Sequence, residues 1–124
     1  MSKKIANSEL EVMRILWREQ RLMTFTEIRK ELASKMNWSK STIQTLVTRL
    51  RDKGYIEADA QDVILYSAKI TEQGYLQMEE QDFLDRLFDG SAVNFVTALC
   101  RNRKVDEDDI ATIKAFLEMG EDKK

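Results

Sequence analysis

The sequence has no histidine, no proline, a single cysteine and only four glycines in 124 residues. The absence of histidine excludes His-based catalytic triads, His metal ligands and His proton shuttles. The single Cys100 excludes an internal disulfide and any Cys-rich zinc or copper site. No apolar run approaches the ~20 residues that span a bilayer, and no signal segment opens the chain. We therefore expect a cytoplasmic, largely helical protein with no cofactor and no membrane insertion.

The net charge of −2 conceals two halves of opposite sign. Residues 1–55 carry 12 Lys/Arg and 6 Asp/Glu, or +6, whereas residues 56–124 carry 8 and 16, or −8. A basic segment joined to an acidic one indicates a part that binds a polyanion and a part that stays clear of it.

Apolar residues at helical spacing predict three short helices in the basic half. Each is preceded by a residue that can cap a helix N-terminus, and a glycine ends the third. The predicted helices cover about 8–19, 25–35 and 40–53, with capping at Ser8 and Glu11, at Thr24 and Glu27, and at Ser39, and with Gly54 as the stop.

The pattern then changes to two β-prone runs, 55–58 and 63–66, separated by the polar residues 59–62, which predicts a hairpin. Three further helices are predicted to begin after Thr71, Ser91 and Asp106. The fold class is therefore mainly α with a small β-hairpin wing. We predict a winged helix-turn-helix DNA-binding domain over 1–70 and a three-helix dimerisation domain over 71–124.

The third helix presents a face suited to DNA. At 100° per residue, the side opposite its apolar positions carries hydroxyl and amide groups that can bond base edges, flanked by cations that can neutralise phosphate. Twenty consecutive residues between Glu31 and Asp52 contain no acid. The predicted DNA-binding residues are Lys40, Ser41, Thr42, Gln44, Thr45, Thr48, Arg49 and Arg51, with Lys40 on phosphate.

Two other interpretations are open for these residues. The helix face could simply be solvated, in which case the winged-helix shape would serve as a protein–protein interaction module without DNA binding. An enzyme has little support, because the sequence lacks histidine, a Gly-rich phosphate loop and a converging carboxylate pair.

Three segments carry a resemblance to a known family. They are Ser8–Trp17, Trp38–Leu50 and Tyr66–Ala68, and together they resemble the penicillinase-repressor family of the BlaI/MecI type. The resemblance spans nearly the whole chain. It implies a homodimeric winged-helix repressor that binds palindromic double-stranded operator DNA, with the C-terminal helices contacting the second subunit.

The same resemblance implies a release mechanism. In the best-known members, a membrane sensor protease responds to β-lactam antibiotics and the repressor is cut between Asn and Phe early in the C-terminal domain. Asn94 and Phe95 match that bond. The copper-responsive branch ends in Cys-x-Cys pairs, whereas this chain ends Glu121–Lys124, so we expect no copper sensing.

Two departures from the family pattern affect DNA contacts. Lys40 and Ser41 stand where the family often has a proline and, further on, a basic residue. Asp59 and Asp62 stand in the predicted wing, where Arg or Lys is common. The wing therefore has the wrong charge for a phosphate contact.

The segment 91–102 is apolar around most of a helix, with a polar stripe of only Asn94, Thr97 and Arg101. Such a helix must be covered on several sides, and a region of about 50 residues offers little cover, so burial against a second chain is expected. The alternative is a central helix within one subunit. Cys100 is expected to be a small core residue.

Overall fold

The computed structural model describes residues 4–120, and in it six helices and a β-hairpin follow one another in the predicted order, with one additional short strand after the first helix. The elements are α1 Asn7–Glu19, β1 Met23–Thr24, α2 Phe25–Met36, α3 Lys40–Lys53, β2 Ile56–Ala60, β3 Ile64–Ala68, α4 Glu72–Leu87, α5 Ala92–Arg101 and α6 Glu107–Gly120. The mainly α fold with a small β wing is confirmed. Residues 121–124, on which the expectation about copper rests, lie outside the described residues.

The helix caps are local interactions, and most follow the sequence. Ser39 caps α3 by accepting a hydrogen bond from the Thr42 backbone N–H at 3.2 Å. Gly54 ends that helix in the left-handed region at φ 90°, which a residue with a Cβ adopts only at a cost. At α2, the Thr24 hydroxyl accepts from the Glu27 N–H at 3.1 Å while the Glu27 carboxylate accepts from the Thr24 N–H at 2.9 Å.

The predicted cap of α1 is wrong. The helix starts one residue earlier than expected, with Ala6 at the cap position, and Glu9 accepts from the Ala6 N–H at 2.8 Å. The capping role expected of Ser8 and Glu11 is therefore performed by Glu9, whose carboxylate is buried.

The three strands form one antiparallel sheet in the order β1-β3-β2. β1 pairs Met23 with Tyr66, and this two-residue strand was not predicted. The predicted four-residue turn is too long, because Asp59 pairs with Leu65 and Ala60 with Ile64, which leaves the tip at 61–63. The wing is therefore a longer hairpin than the sequence indicated.

The chain divides into two compact units, Met1–Tyr75 and Leu76–Lys124. The first holds the hydrophobic core, in which α1, α2, α3 and the sheet bury one face each. Its aromatic part joins Trp17 to Tyr75 at 5.6 Å between ring centroids, and the Trp17 indole N–H donates to the Ile70 carbonyl at 2.9 Å. Because Tyr75 packs in this core, the first unit includes the start of α4.

The second unit has its large apolar side chains on the surface of the single chain. α5 and α6 contain no buried residue in the described part of the chain. Cys100 is exposed, so the expectation that it is a core residue of this chain is wrong. The sequence misled because its apolar neighbours are themselves exposed, for example Val93 at 74% and Phe116 at 71%.

Candidate nucleic-acid interface

Helix α3 has one buried and one exposed side. The buried side fixes the helix in the core through Ile43, Leu46, Val47 and Leu50, each at most 4% exposed. These positions follow the i, i+3, i+4, i+7 spacing of a single helical face. The opposite side is consequently held toward solvent by a rigid support.

All eight predicted DNA-binding residues lie on this one helix, since α3 runs from Lys40 to Lys53. Seven are exposed and Thr48 is half-buried. Ser41, Gln44, Thr45 and Thr48 share the outward stripe, and the remaining predicted residues flank it or stand at the helix start. The structure thus brings the predicted residues together on a single surface.

Several of these side chains are ordered by local hydrogen bonds. The Thr45 hydroxyl donates to the Ser41 carbonyl at 2.9 Å, so its methyl group is the part that remains for apolar contact. Gln44 Nε2 donates to Thr48 Oγ1 at 3.4 Å, and the Ser39 hydroxyl donates to Thr42 Oγ1 at 3.0 Å. A ligand that forms a hydrogen bond with Gln44 or Thr48 would replace the long hydrogen bond between these two side chains.

The cations between Arg14 and Lys53 fall into two groups. Cations of one group form ion pairs with carboxylates, and we call these cations committed. The pairs are Arg14 with Glu11, Arg18 with Glu19 and Glu31, Arg21 with Glu19 and Glu27, Lys35 with Glu11, Arg51 with Asp52, and Lys53 with Glu9. The other group is Arg29, Lys30, Lys40 and Arg49, for which no carboxylate lies within 4.0 Å among residues 4–120. Between residues 14 and 53, the uncommitted positive charge therefore lies on the exposed sides of α2 and α3.

Two of these carboxylates, Glu27 and Glu31, are stabilised in their charged form. The pKa of Glu27 is lowered by the Thr24 backbone hydrogen bond and then by Arg21. The pKa of Glu31 is lowered chiefly by its hydrogen bonds with Arg18, whose second guanidinium nitrogen lies 2.6 Å from Oε1. These acids neutralise α1 and leave the acid-free part of α3 as the positive surface.

The sequence reasoning did not include α2 in the interface. Arg29 and Lys30 are exposed and, with Thr26, Ala33 and Ser34, line an open depression of about 520 Å³. The signal was present, since two adjacent cations stand on the polar face of the helix that precedes α3. In helix-turn-helix proteins the first helix of the pair crosses the phosphate backbone.

Asp52 marks the end of the candidate surface. It follows Ser41, Thr45 and Thr48 along the outward stripe of α3, and its side chain is 67% exposed. Asp52 lies 3.5 Å from Arg51, so this cation is partly compensated at the C-terminal end of the helix. The electrostatics favour a polyanion at the N-terminal and central turns of α3.

Asn94 and Phe95 lie in the second unit, in the first turn of α5. The Asn94 N–H donates to the Ser91 hydroxyl at 3.0 Å, and the Phe95 N–H donates to the Ser91 carbonyl at 3.2 Å. The Phe95 ring lies 5.2 Å from each of Phe83 and Phe88, and we name these three rings the aromatic cluster. The Asn94–Phe95 bond is thus held by backbone hydrogen bonds to Ser91 and by the packing of the Phe95 ring.

Residues 5–119 match the family model described as penicillinase repressor. The chain belongs to the penicillinase repressor family. It is 30% identical over 122 residues to the penicillinase repressor of Bacillus licheniformis, across 98% of this chain and 94% of that protein. It is 25% identical over 115 residues to the methicillin resistance regulatory protein MecI of Staphylococcus aureus strain N315, across 92% and 93% of the two chains.

A solved structure shares the fold of the N-terminal part. It is the monomeric form of Bacillus licheniformis BlaI in complex with the blaP half-operator, at TM-score 0.53 and 34% identity, covering 60% of this chain and 92% of that one. As a member of the penicillinase repressor family, the chain is a DNA-binding transcriptional repressor and not an enzyme. No helix within residues 4–120 is both long and apolar enough to cross a membrane.

Proposed function

We propose that this repressor acts in the cytoplasm as a homodimer on palindromic double-stranded operator DNA, with α3 in the major groove. The observation that carries the proposal is the two-sided construction of α3. A buried apolar face holds the polar face of residues 40–51, which contains no acid, toward solvent, and uncommitted cations stand at exposed positions of α2 and α3. This is the arrangement that a DNA-reading helix requires, because base contacts need rigid positioning and phosphates need positive charge.

The side chains of α3 divide by chemistry. Gln44 can bond adenine through its amide, Ser41 and Thr42 can bond either kind of base edge, and Thr45 offers its methyl group to thymine. Thr48 supports Gln44 and lies near the bases. Lys40, Arg49 and Arg51 are assigned to phosphate, and we add Arg29 and Lys30 of α2 to that group.

The dimer is proposed to form through the second unit, which makes up most of the predicted dimerisation domain 71–124. Its support is the exposed apolar surface of α5 and α6, which includes Val93, Ile110, Phe116 and Leu117, each at least 41% exposed in the single chain. A surface of this size and composition is typical of a protein contact. A two-fold dimer would present two copies of α3 to the two halves of a palindrome.

Release from DNA is proposed to follow cleavage between Asn94 and Phe95 by a membrane sensor protease that responds to a β-lactam or cell-wall signal. The names of the penicillinase repressor and of MecI support a β-lactam signal. Cutting in the first turn of α5 would divide the helix that carries Val93 and Val96, and with it the dimer surface. Loss of the second DNA contact then lowers affinity without altering any base contact.

A mobility shift on the DNA upstream of the repressor's own gene tests the proposal against the interaction-module alternative. We expect a retarded complex that an unlabelled scrambled duplex of equal length competes poorly. Gln44→Ala should weaken the complex on the upstream DNA by about 1–3 kcal/mol, since one bidentate base contact is removed. Absence of a retarded complex would favour the alternative. A scrambled duplex that competes as well as the upstream DNA, or a Gln44→Ala variant that binds unchanged, would contradict base reading by α3.

A further inference from the structure

The β2–β3 hairpin, residues 56–68, which we name the wing, carries charge of one sign only. It contains Glu57, Asp59 and Asp62, and from Gly54 to Ala68 there is no Lys or Arg. All three acids are exposed. The wing therefore adds three negative charges directly after the helix that the proposed function places in the groove.

The strand register puts two of the acids on the outer face. Glu57 pairs with Ser67 and Asp59 with Leu65, whereas Ala58 between them pairs with the buried Tyr66 and packs against the core. Because side chains alternate across a strand, Glu57 and Asp59 face away from the core. Asp62 lies in the tip, where Gln61 Nε2 donates to Asp59 Oδ1 at 3.2 Å.

The base of the wing is fixed to the C-terminal end of α3. Only Gly54 and Tyr55 separate α3 from β2. The Tyr55 N–H donates to the Leu50 carbonyl at 3.0 Å, and the Lys69 N–H donates to the Tyr55 carbonyl at 2.8 Å. With α3 in the major groove, the wing is held in the neighbourhood of the phosphate backbone and cannot swing away from it at its base.

We infer that Asp59 and Asp62 are affinity-lowering determinants of this repressor: their charges repel DNA phosphate and keep the wing from contributing to the grip. The inference rests on the proposed function. Like charges brought together across an interface reduce binding, and salt screens the repulsion. The repressor consequently binds DNA through α2, α3 and the pairing of two subunits. Its residence time on DNA is therefore sensitive to loss of the dimer.

The test compares Asp59→Asn/Asp62→Asn with the wild type by fluorescence anisotropy on the upstream duplex and on a scrambled duplex, between 50 and 200 mM KCl. Each unit charge about 8 Å from a phosphate in water disfavours binding by a factor of about two. Two acids facing several phosphates thus predict a gain of ~3- to 10-fold per subunit at 50 mM, shrinking as salt rises. Asp59→Lys/Asp62→Lys should also increase the magnitude of the log–log salt slope by about 2 per subunit.

The matched control is Glu80→Gln/Asp89→Asn, which changes the net charge equally through exposed acids of α4 and of the loop that follows it. It should leave affinity within two-fold of the wild type. Wing variants that bind like the wild type, or that lose affinity on the upstream DNA alone, would overturn the inference, the second because it shows an acid accepting a bond from cytosine. Absence of binding by the wild type would overturn the proposed function and this inference with it.

Discussion

At the scale of single residues, the partner of a charged side chain decides its role. Lys53 belongs to α3, yet it faces the interior: its Nζ lies 2.6 Å from Glu9 Oε1 and donates to the Lys4 carbonyl at 2.9 Å. Glu9 is 1% exposed and also accepts from the Ala6 N–H. This pair, with a buried carboxylate and a half-buried ammonium group, fastens the C-terminal end of α3 to the start of α1.

Lys53→Met tests this link. The substitution leaves the Glu9 carboxylate buried without its cation, so we expect the free energy of unfolding in urea to fall by about 3–5 kcal/mol. Lys30→Met, at an exposed position of α2, is the matched control and should change it by less than ~0.5 kcal/mol. If adding Glu9→Gln to Lys53→Met recovers none of the loss, the ion pair is not the cause.

At the scale of elements, local rules predicted most of the fold and the candidate face. Interactions between neighbours along the chain could be read directly from the sequence. They include the Ser39 and Thr24 caps, the end of α3 at Gly54 and the i, i+3, i+4, i+7 spacing of the apolar residues in α3. β1 escaped prediction because two residues carry no periodicity and its pairing with β3 joins residues about 40 positions apart. The sequence shows Arg29 and Lys30 on the polar face of α2, but their lack of carboxylate partners among residues 4–120 is a property of the folded chain.

The aromatic cluster packs against the first turn of α5, which contains the Asn94–Phe95 bond. A protease acts on an extended segment, so the first turn of α5 must open before cleavage. Thermolysin, which cuts on the amino side of large apolar residues, reports that opening without the sensor. We expect Phe88→Ala to speed cutting at this bond about 10-fold, because each ring contact contributes about 0.5–1.5 kcal/mol.

Phe25→Ala removes a half-buried ring from the other unit and serves as the control, with the fragments identified by mass spectrometry. It should leave the rate at Asn94–Phe95 unchanged. Equal acceleration by the two variants would mean that the bond is exposed by general unfolding and not by opening of α5.

At the scale of the whole molecule, the charge split and the exposed apolar surface distinguish the same two parts of the chain. The first unit contains the hydrophobic core and the uncommitted cations of α2 and α3. The second unit contains large apolar side chains that are exposed in the single chain. Whether Cys100 is covered could not be read from its apolar neighbours, because that depends on what a second subunit buries. The wing is the exception to the split, since its acids belong to the DNA-binding half.

Val93→Asp tests the dimer. Val93 is 74% exposed on α5, and a buried charge at a subunit contact is strongly unfavourable. We expect the mass by light scattering to fall from twice 14.5 kDa to 14.5 kDa. Affinity for a full palindrome should fall ~10²–10⁴-fold. Leu22→Asp, at an exposed apolar position of the first unit, should remain dimeric; a dimeric Val93→Asp would argue against α5 as the contact.

The salt dependence of binding to the upstream DNA tests the central claim, that α3 and its surrounding cations grip DNA phosphate, most directly. For six to ten phosphate contacts per dimer, affinity should fall by about 10³–10⁵ between 50 and 200 mM salt. Arg51→Ala, which removes one cation per subunit, should reduce the magnitude of the log–log slope by about 1 per subunit. An affinity that does not change with salt over this range, in the wild type and in Arg51→Ala alike, would contradict the account.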